Sequence, residues 1–334
     1  MYIGMDTHKR YSQVAVMESD GSLLDERRID YATSTAELEA FAVEFADSQV
    51  AIEATGHYRP IYETLDEHMD VTLVNPSKTR AIAEAKVKND RLDAKMLAHL
   101  LRANLVAESY VPPKDVRQER DLVRTRKALV ESRTREKNRV RSVLARTGND
   151  YDKELFGPMG DAYLESIELA EIDRVVLEAH LAVIGELDEQ ITTLDEAIER
   201  IAVTRTSTQL LMTIPGVSYY SSLLITAEIG EVDRFPTAKH LVSYAGLDPT
   251  VRQSGDRELR GGISKAGTAS LRWILVQCAN VAIRYDRYLK DHYRRLERRK
   301  GHNIAIVATA RKLLVAIFHM LTREEVWNPP EAAA

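Results

Sequence analysis

Asp6, Glu53, Asp90 and Asp93 are the residues of this 334-residue chain whose type and spacing best suit chemistry. Asp6 follows the apolar run Tyr2-Ile3-Gly4-Met5, and Glu53 follows Val50-Ala51-Ile52. Asp90 and Asp93 stand three apart at the start of a strongly helical stretch, 91–105. Acids at the ends of two strands and a pair on one helical turn can converge on a divalent cation, because hard ions such as Mg²⁺ take carboxylate oxygens. Two such ions can catalyse in-line displacement at phosphorus. The pattern points to phosphodiester chemistry on nucleic acid, with Mg²⁺ as the expected cofactor.

The elements that must position these acids lie in residues 1–110. Strands are expected at 2–5, 12–17 and 23–29, with Asp20-Gly21 turning the chain between the second and third. Further strands are expected at 50–54 and 71–74, and helices at 61–68, from 77 and from 90. Ser34 with Glu37 predicts a capping box before a helix carrying Leu38, Phe41 and Phe45. A three-stranded meander, then helix, strand, helix, strand, helix, is the order of an α/β ribonuclease H-like domain. There the first and fourth strands are neighbours, which sets Asp6 beside Glu53, and the last helix crosses the sheet. Asp90 and Asp93 share one helix face. Asp90 is also a candidate N-cap, and Asp93 a candidate surface partner for a Lys or Arg.

Several residues nearby have two readings. Gly56 would let backbone come close to a phosphate or metal, and His57 either assists or hydrogen-bonds at the surface. Lys78, Arg80, Lys86 and Lys88 either approach a phosphate backbone or form a solvated helix face.

Composition bounds the rest. No apolar run approaches a membrane span and the chain opens directly into a strand, so a cytoplasmic protein with no membrane partner is expected. The single cysteine, Cys278, excludes an intramolecular disulfide and a cysteine-rich zinc site, and its apolar helical run predicts buried packing. The net charge of −5 divides unevenly: −7 over 1–113, +7 over 114–149, −12 over 150–200 and +7 over 201–334. Charges act over roughly a Debye length of about 10 Å, so two basic segments matter more to a polyanion than the total.

Pro112-Pro113 marks a boundary. Residues 114–146 predict one long helix with an apolar stripe and a basic face, and 163–203 a second amphipathic stretch. Antiparallel pairing or an intermolecular coiled coil would bury both stripes, and the segment suits linking and oligomerisation. Residues 210–230, with Ile214-Pro215-Gly216-Val217-Ser218, resemble a helix-hairpin-helix, whose backbone N–H groups bind phosphate. Ser218 stands where the second glycine usually does, and an ordinary helix–turn–helix packing unit is the other reading. A glycine-rich, basic stretch, 253–265, is expected to be a flexible, irregular loop exposing Ser254 among Arg252, Arg257 and Arg260. A serine nucleophile needs its proton removed and its phosphate target neutralised, and arginines meet the second need. Ser-Gly is equally a common turn and Ser264 a possible helix cap, so spacing alone selects no serine.

The strings YIGMDTHK, AIEATGHY, VNPSKTRAIA, KNDRLDAKMLA, IPGVS, LITAEIG, SYAGLDP and SGDRELRGGISKAGTASLRWIL, in that order, resemble the transposases of the insertion sequence 110 family from about residue 2 to about 320. The resemblance implies a RuvC-like domain over 1–110, a helical coiled-coil segment over 111–205, and a mainly α-helical C-terminal transposase domain over 206–334 with the helix-hairpin-helix-like unit. It implies that Asp6, Glu53, Asp90 and Asp93 are the Asp-Glu-Asp-Asp catalytic and metal-binding set. It places a catalytic serine at Ser254, with Ser264 the second choice. Recombination would run through a phosphoserine intermediate, in a composite site formed by protomers of a dimer of dimers. Donor and target DNA would be chosen by a structured noncoding bridge RNA. The 114–149 segment and the cluster Arg294, Arg295, Arg298, Arg299 and Lys300 would supply separate polyanion surfaces. Two other readings stand beside this one: a structure-selective endonuclease for Holliday-junction-like DNA without a covalent step, and a non-catalytic nucleic-acid-binding scaffold.

Overall fold

Alternation along β1 (Tyr2–Thr7) sends Ile3 and Met5 to one face of a sheet and Gly4 and Asp6 to the other. The fold of the first half follows from that split. The structure is a computed structural model describing residues 1–75, 79, 89–254 and 257–329, with the backbone alone for 251–254 and 257–260. The helix expected from 77, the side chains of Lys78, Arg80, Lys86 and Lys88, and Gly255 lie outside the described residues. The chain forms two compact units, Met1–Val111 and Pro112–Ala334.

In the first unit, β2 (Tyr11–Met17) and β3 (Leu23–Asp30) complete an antiparallel meander, while β4 (Gln49–Glu53) and β5 (Asp70–Val74) add in parallel, giving the order β3-β2-β1-β4-β5. The expected neighbours, first and fourth strands, are paired. Gly21, at φ 93°, turns β2 into β3 where a turn was expected. α1 (Ala36–Glu44) and α2 (Tyr58–Asp66) cover one face, packing Leu38, Phe41, Ile61 and Leu65 on Ile3, Met5, Val14, Val16, Val50 and Ile52.

α3 (Asp90–Arg102) covers the other face, with Leu97 and Leu101 on Ala51 and Val74. It comes close because Ala15, Gly4 and Ala51 stand in register across three adjacent strands and make that face nearly flat. A Cβ on Gly4 would lie 2.0 Å from the Ala94 carbonyl oxygen and 2.4 Å from the Ala98 nitrogen. Contact this tight is a recognised use of glycine within a strand. Lys95 (2.6 Å) and Arg91 (3.4 Å) pair with Glu26 of β3, and Arg102 donates to the Ser19 carbonyl at 3.2 Å, so both ends of the helix are tied to the sheet.

Two expected caps are corrected. Asn89, not Asp90, is the N-cap of α3, its side chain accepting the Arg91 N–H at 3.1 Å. The Ser34–Glu37 capping box does not form, because Glu37 accepts the Asp30 N–H at the end of β3 and the helix starts at Ala36.

In the second unit, α4 (Lys114–Arg146) is the single long helix the sequence predicts. After α5 (Pro158–Ser166), α6 (Glu171–Ala202) returns antiparallel along it: Arg126 meets Asp195 at 2.9 Å, Arg133 meets Asp188, and Arg146 meets Asp173 at 2.8 Å. Val140, Val143 and Leu144 pack with Leu177 and Ile184. Much of both stripes is thus buried within the chain, Leu129, Val130, Leu187 and Leu194 remaining partly exposed, and part of the positive charge of 114–149 is met by the acidic segment itself.

α7 (Thr206–Met212) and α8 (Tyr219–Ile229) flank a tight turn in which Gly216 has φ 91° and packs against Val281. A 3₁₀ turn (Val232–Arg234) leads into α9 (Ala238–Tyr244). The stretch expected as an irregular loop is instead mostly a two-stranded hairpin, β6 (Pro249–Ser254) with β7 (Arg257–Ile263). α10 (Ala269–Tyr285), α11 (Arg287–Lys300) and α12 (His302–Arg323) follow. Their core joins Leu223, Leu241, Leu275, Cys278, Leu313 and Leu314 to Val123 of α4 and Ile198 of α6. Burial pushes the Cys278 thiol up to about 11, as suits a packing residue. The expectation that no apolar run approaches a membrane span is corrected by α12, which among the described residues is long and apolar enough by length and composition. Its Ala305, Ala310, Leu313, Leu314 and Ile317 are buried in this core.

Candidate metal centre

Strand periodicity sets the first two acids. Asp6 is two residues beyond Gly4 and Glu53 two beyond Ala51, so both face the side of the sheet that α3 crosses, at the ends of two adjacent parallel strands. α3 lies on Gly4 through Ala94 and Ala98, so its N-terminal turn, with Asp90 and Asp93, reaches the strand ends. The positive end of the helix dipole there favours negative charge. Asn89 takes the capping role and leaves the Asp90 carboxylate free of it.

The other three acids act on Asp6. The Asp6 carboxyl is pushed up to about 6, chiefly by burial, and further by the negative charges of Asp90, Glu53 and Asp93; His8 opposes the shift. Asp6 has 14% of its side chain exposed and Asp90 46%, so the cluster opens to solvent on the helix side.

Three residues beyond the expected four surround it. His8 Nε2 lies 3.3 Å from Asp6 Oδ2 and 3.2 Å from Asp90 Oδ2. Tyr11 donates its hydroxyl to Asp90 Oδ2 at 3.1 Å, and its ring sits 4.7 Å from that of His8. The Arg28 guanidinium covers the other side of Tyr11, 3.7 Å from the ring centroid. The spacing Asp6-x-His8 carries a signal the sequence reading missed, since alternation at a strand end puts both on one side. Tyr11 and Arg28 arrive through strand pairing.

These residues fit a divalent cation. Asp6, His8 and Asp90 offer ligand atoms within 4.8 Å of one another. His8 Nε2 is buried and, among the described residues, makes no aligned hydrogen bond, despite its two close carboxylate oxygens. A polar atom so placed is satisfied by an ion lying between the same oxygens.

His57 and Gly56 are not drawn in. His57 is exposed at the N-cap of α2, and a Cβ on Gly56 would meet nothing within 4 Å.

Comparison with known proteins agrees in both units. A family model for DEDD transposases of the IS110 type matches residues 3–149, and the Transposase IS116/IS110/IS902 family model matches residues 208–294. The chain belongs to this transposase family. It is 28% identical to the transposase for insertion sequence element IS1111A of Coxiella burnetii, over 98% of this chain and 91% of that protein. It is 25% identical to the transposase for IS1328 of Yersinia enterocolitica, over 98% of each. It is also 27% identical to the pilin gene-inverting protein of Moraxella bovis, over 83% of this chain and 81% of that one.

In this transposase Ser254 is the last residue of β6, in register with Arg257 of β7. Ser264 is not a helix cap: Thr268 precedes α10. The Ser264 hydroxyl donates to Asp248 Oδ1 at 2.6 Å and its N–H to the Asp248 carbonyl at 2.8 Å, which closes the base of the hairpin. A further buried acid escaped the sequence reading. Glu228 is fully buried, accepts from Arg124 Nε at 2.7 Å and Nη2 at 2.8 Å, and accepts the Thr268 hydroxyl at 3.0 Å. In the turn between α7 and α8, Ser218 caps α8 through Ser221, and its own N–H is donated to Ser221 Oγ at 2.7 Å. Arg294, Arg295, Arg298, Arg299 and Lys300 are all exposed on α11.

Proposed function

We propose that this transposase cuts and joins DNA through a phosphoserine intermediate, with Mg²⁺ held by Asp6, Glu53, Asp90 and Asp93 and with Ser254 as nucleophile. The observation that carries the reading is the placement of Asp6 and Glu53 at the ends of adjacent parallel strands, on the one sheet face that α3 crosses with Asp90 and Asp93 in its first turn. In this reading residues 1–110 are a RuvC-like, ribonuclease H-like domain, residues 111–205 link and oligomerise, and residues 206–334 present the serine. The sheet order supports the first assignment, and similarity to the Moraxella pilin gene-inverting protein supports recombination over simple hydrolysis.

A divalent ion bound by the acids supplies charge neutralisation at the scissile phosphate. Ser254 Oγ forms the new bond to phosphorus, the bond from phosphorus to the departing deoxyribose oxygen breaks, and that oxygen leaves with a proton as a DNA hydroxyl. The arginines of the hairpin, Arg252, Arg257 and Arg260, lie in the same sequence stretch to balance phosphate charge. A structured bridge RNA would choose donor and target by base pairing, leaving the protein to bind backbone and shape, and the working assembly would be a dimer of dimers. Both rest on the family resemblance.

The test is adduct trapping on cognate DNA with the guide RNA. A covalent protein–DNA species is expected from wild type and not from Ser254→Ala. An adduct that persists in Ser254→Ala sinks the serine, and cleavage without any adduct favours the junction endonuclease. Strand cleavage undiminished in Asp6→Ala sinks the acidic site.

A further inference from the structure

We propose that His8 is a nitrogen ligand of the cation held by Asp6 and Asp90, making this a mixed oxygen–nitrogen site that binds Mn²⁺ more tightly than the Mg²⁺ of the proposed reaction. The inference rests on the metal-centre reading above and adds to it a residue outside the four acids.

The geometry of one atom carries it. His8 Nε2 stands 3.3 Å from Asp6 Oδ2 and 3.2 Å from Asp90 Oδ2. Adjacent ligands of an octahedral ion with bonds of about 2.1 Å are about 3.0 Å apart, so each carboxylate oxygen stands near where a neighbour of Nε2 on one coordination sphere would, and all three atoms lie within 4.8 Å of one another. Nε2 is also buried without an aligned hydrogen bond, which a group acting as a donor to either carboxylate would have.

The His8 backbone is held on both its polar groups. His8 begins the turn between β1 and β2, its N–H donated to the Tyr11 carbonyl at 2.9 Å. Its own carbonyl accepts the Tyr31 hydroxyl at 2.9 Å, and Tyr31 is further fixed by Ser12 at 2.8 Å. Tyr11 lies against the His8 ring and holds Asp90 Oδ2 from the other side. The Tyr11 bond to Asp90 is of the outer kind that orients a metal-binding carboxylate and tightens binding. Imidazole nitrogen shifts preference from Mg²⁺ toward the first-row transition ions, and a carboxylate-rich remainder keeps Mn²⁺ among those favoured.

The experiment uses the full-length protein with Mn²⁺ alone, without DNA or RNA. Pulsed electron paramagnetic resonance reads whether a ¹⁴N nucleus is directly bonded to the bound Mn²⁺. Wild type is expected to show that coupling, and it should change to the ¹⁵N pattern when the histidines are ¹⁵N-labelled. His8→Gln should bind Mn²⁺ roughly tenfold more weakly and lose the coupling, while His57→Gln keeps it. Mn²⁺ should also bind wild type more tightly than Mg²⁺ does in competition, by a margin that shrinks in His8→Gln.

The wild-type spectrum decides the matter even if a variant misfolds. Mn²⁺ bound in an Asp6-dependent way but without nitrogen coupling overturns the His8 inference and leaves the acidic centre standing. Coupling that survives His8→Gln and vanishes in His57→Gln also overturns it. Absence of Mn²⁺ binding, or binding unaffected by Asp6→Ala, overturns both readings.

Discussion

The carbonyl oxygen of Ala94 lies 2.0 Å from the point a Cβ on Gly4 would occupy. This approach is what lets α3 lie flat on β1, and it therefore sets how near Asp90 and Asp93 stand to Asp6 and Glu53. Gly4→Ala must push the helix off the sheet, since its neighbours are backbone atoms that cannot rotate away. Overpacking of this kind costs about 1–3 kcal/mol. The expected outcome is a folded protein, destabilised by that amount in urea unfolding, whose Mn²⁺ affinity falls far more than its stability. A variant with wild-type metal affinity shows that α3 does not set the site.

Asp6 should make metal-free stability depend on pH. Its folded-state carboxyl sits at about 6 against an ordinary 3.8, so between those values the folded protein holds more protons than the unfolded chain. Stability from this group is complete below pH 3.8 and is lost as pH rises through 6. The upper bound of the loss is about 3 kcal/mol, at about 1.4 kcal/mol per pH unit. Asp6→Asn, unfolded in chelator, should therefore be more stable than wild type at pH 8, with the advantage gone near pH 4. Added Mg²⁺ should raise the wild-type midpoint and leave the variant's unmoved. Parallel pH profiles for the two proteins exclude this account.

What was legible in the sequence was what local pattern determines. Alternating apolar residues gave the strands, and their order gave the pairing that puts Asp6 beside Glu53. The unbroken 114–146 stretch gave α4 nearly to the residue. Gly4 was illegible because its value depends on Ala15 and Ala51 in neighbouring strands and on which helix crosses them, all long-range facts. Asn89 and Asp90 are adjacent residues of equal capping ability, and only the helix's actual start separates them. Glu37 went to the Asp30 amide, a competitor outside the capping-box pattern. The hairpin carrying Ser254 was hidden by its own composition, since three glycines and many charges over 253–265 read as loop.

The Arg124–Glu228 pair anchors the long basic helix to the C-terminal core. Glu228 is fully buried and its carboxylate accepts from two guanidinium nitrogens, so removing the arginine leaves a buried charge with Thr268 as its remaining side-chain donor among the described residues. Breaking a fully buried pair from one side costs about 3–5 kcal/mol, and 48% of the Arg124 side chain is exposed, so water reaches part of this pair. Arg124→Ala is expected to lose less than that range, about 2 kcal/mol, in urea unfolding. Glu228→Gln should lose clearly less, since an amide can be buried without a charge. Equal losses would show that packing of the arginine stem, not the uncompensated charge, dominates.

The exposed basic face of α11 should bind nucleic-acid backbone rather than read sequence. Arg294 and Arg298 are four residues apart and both exposed, so they share a helix face and can meet neighbouring phosphates. Each phosphate neutralised contributes about 0.9 to the slope of log affinity against log salt on duplex DNA. The double substitution Arg294→Ala with Arg298→Ala should flatten that slope by about 2. The loss should be the same on cognate and unrelated duplexes, because backbone contacts carry no base information. Fluorescence anisotropy across a salt series on the two duplexes measures it. An unchanged slope places the DNA elsewhere, and a loss confined to the cognate duplex turns the face into a reader of sequence.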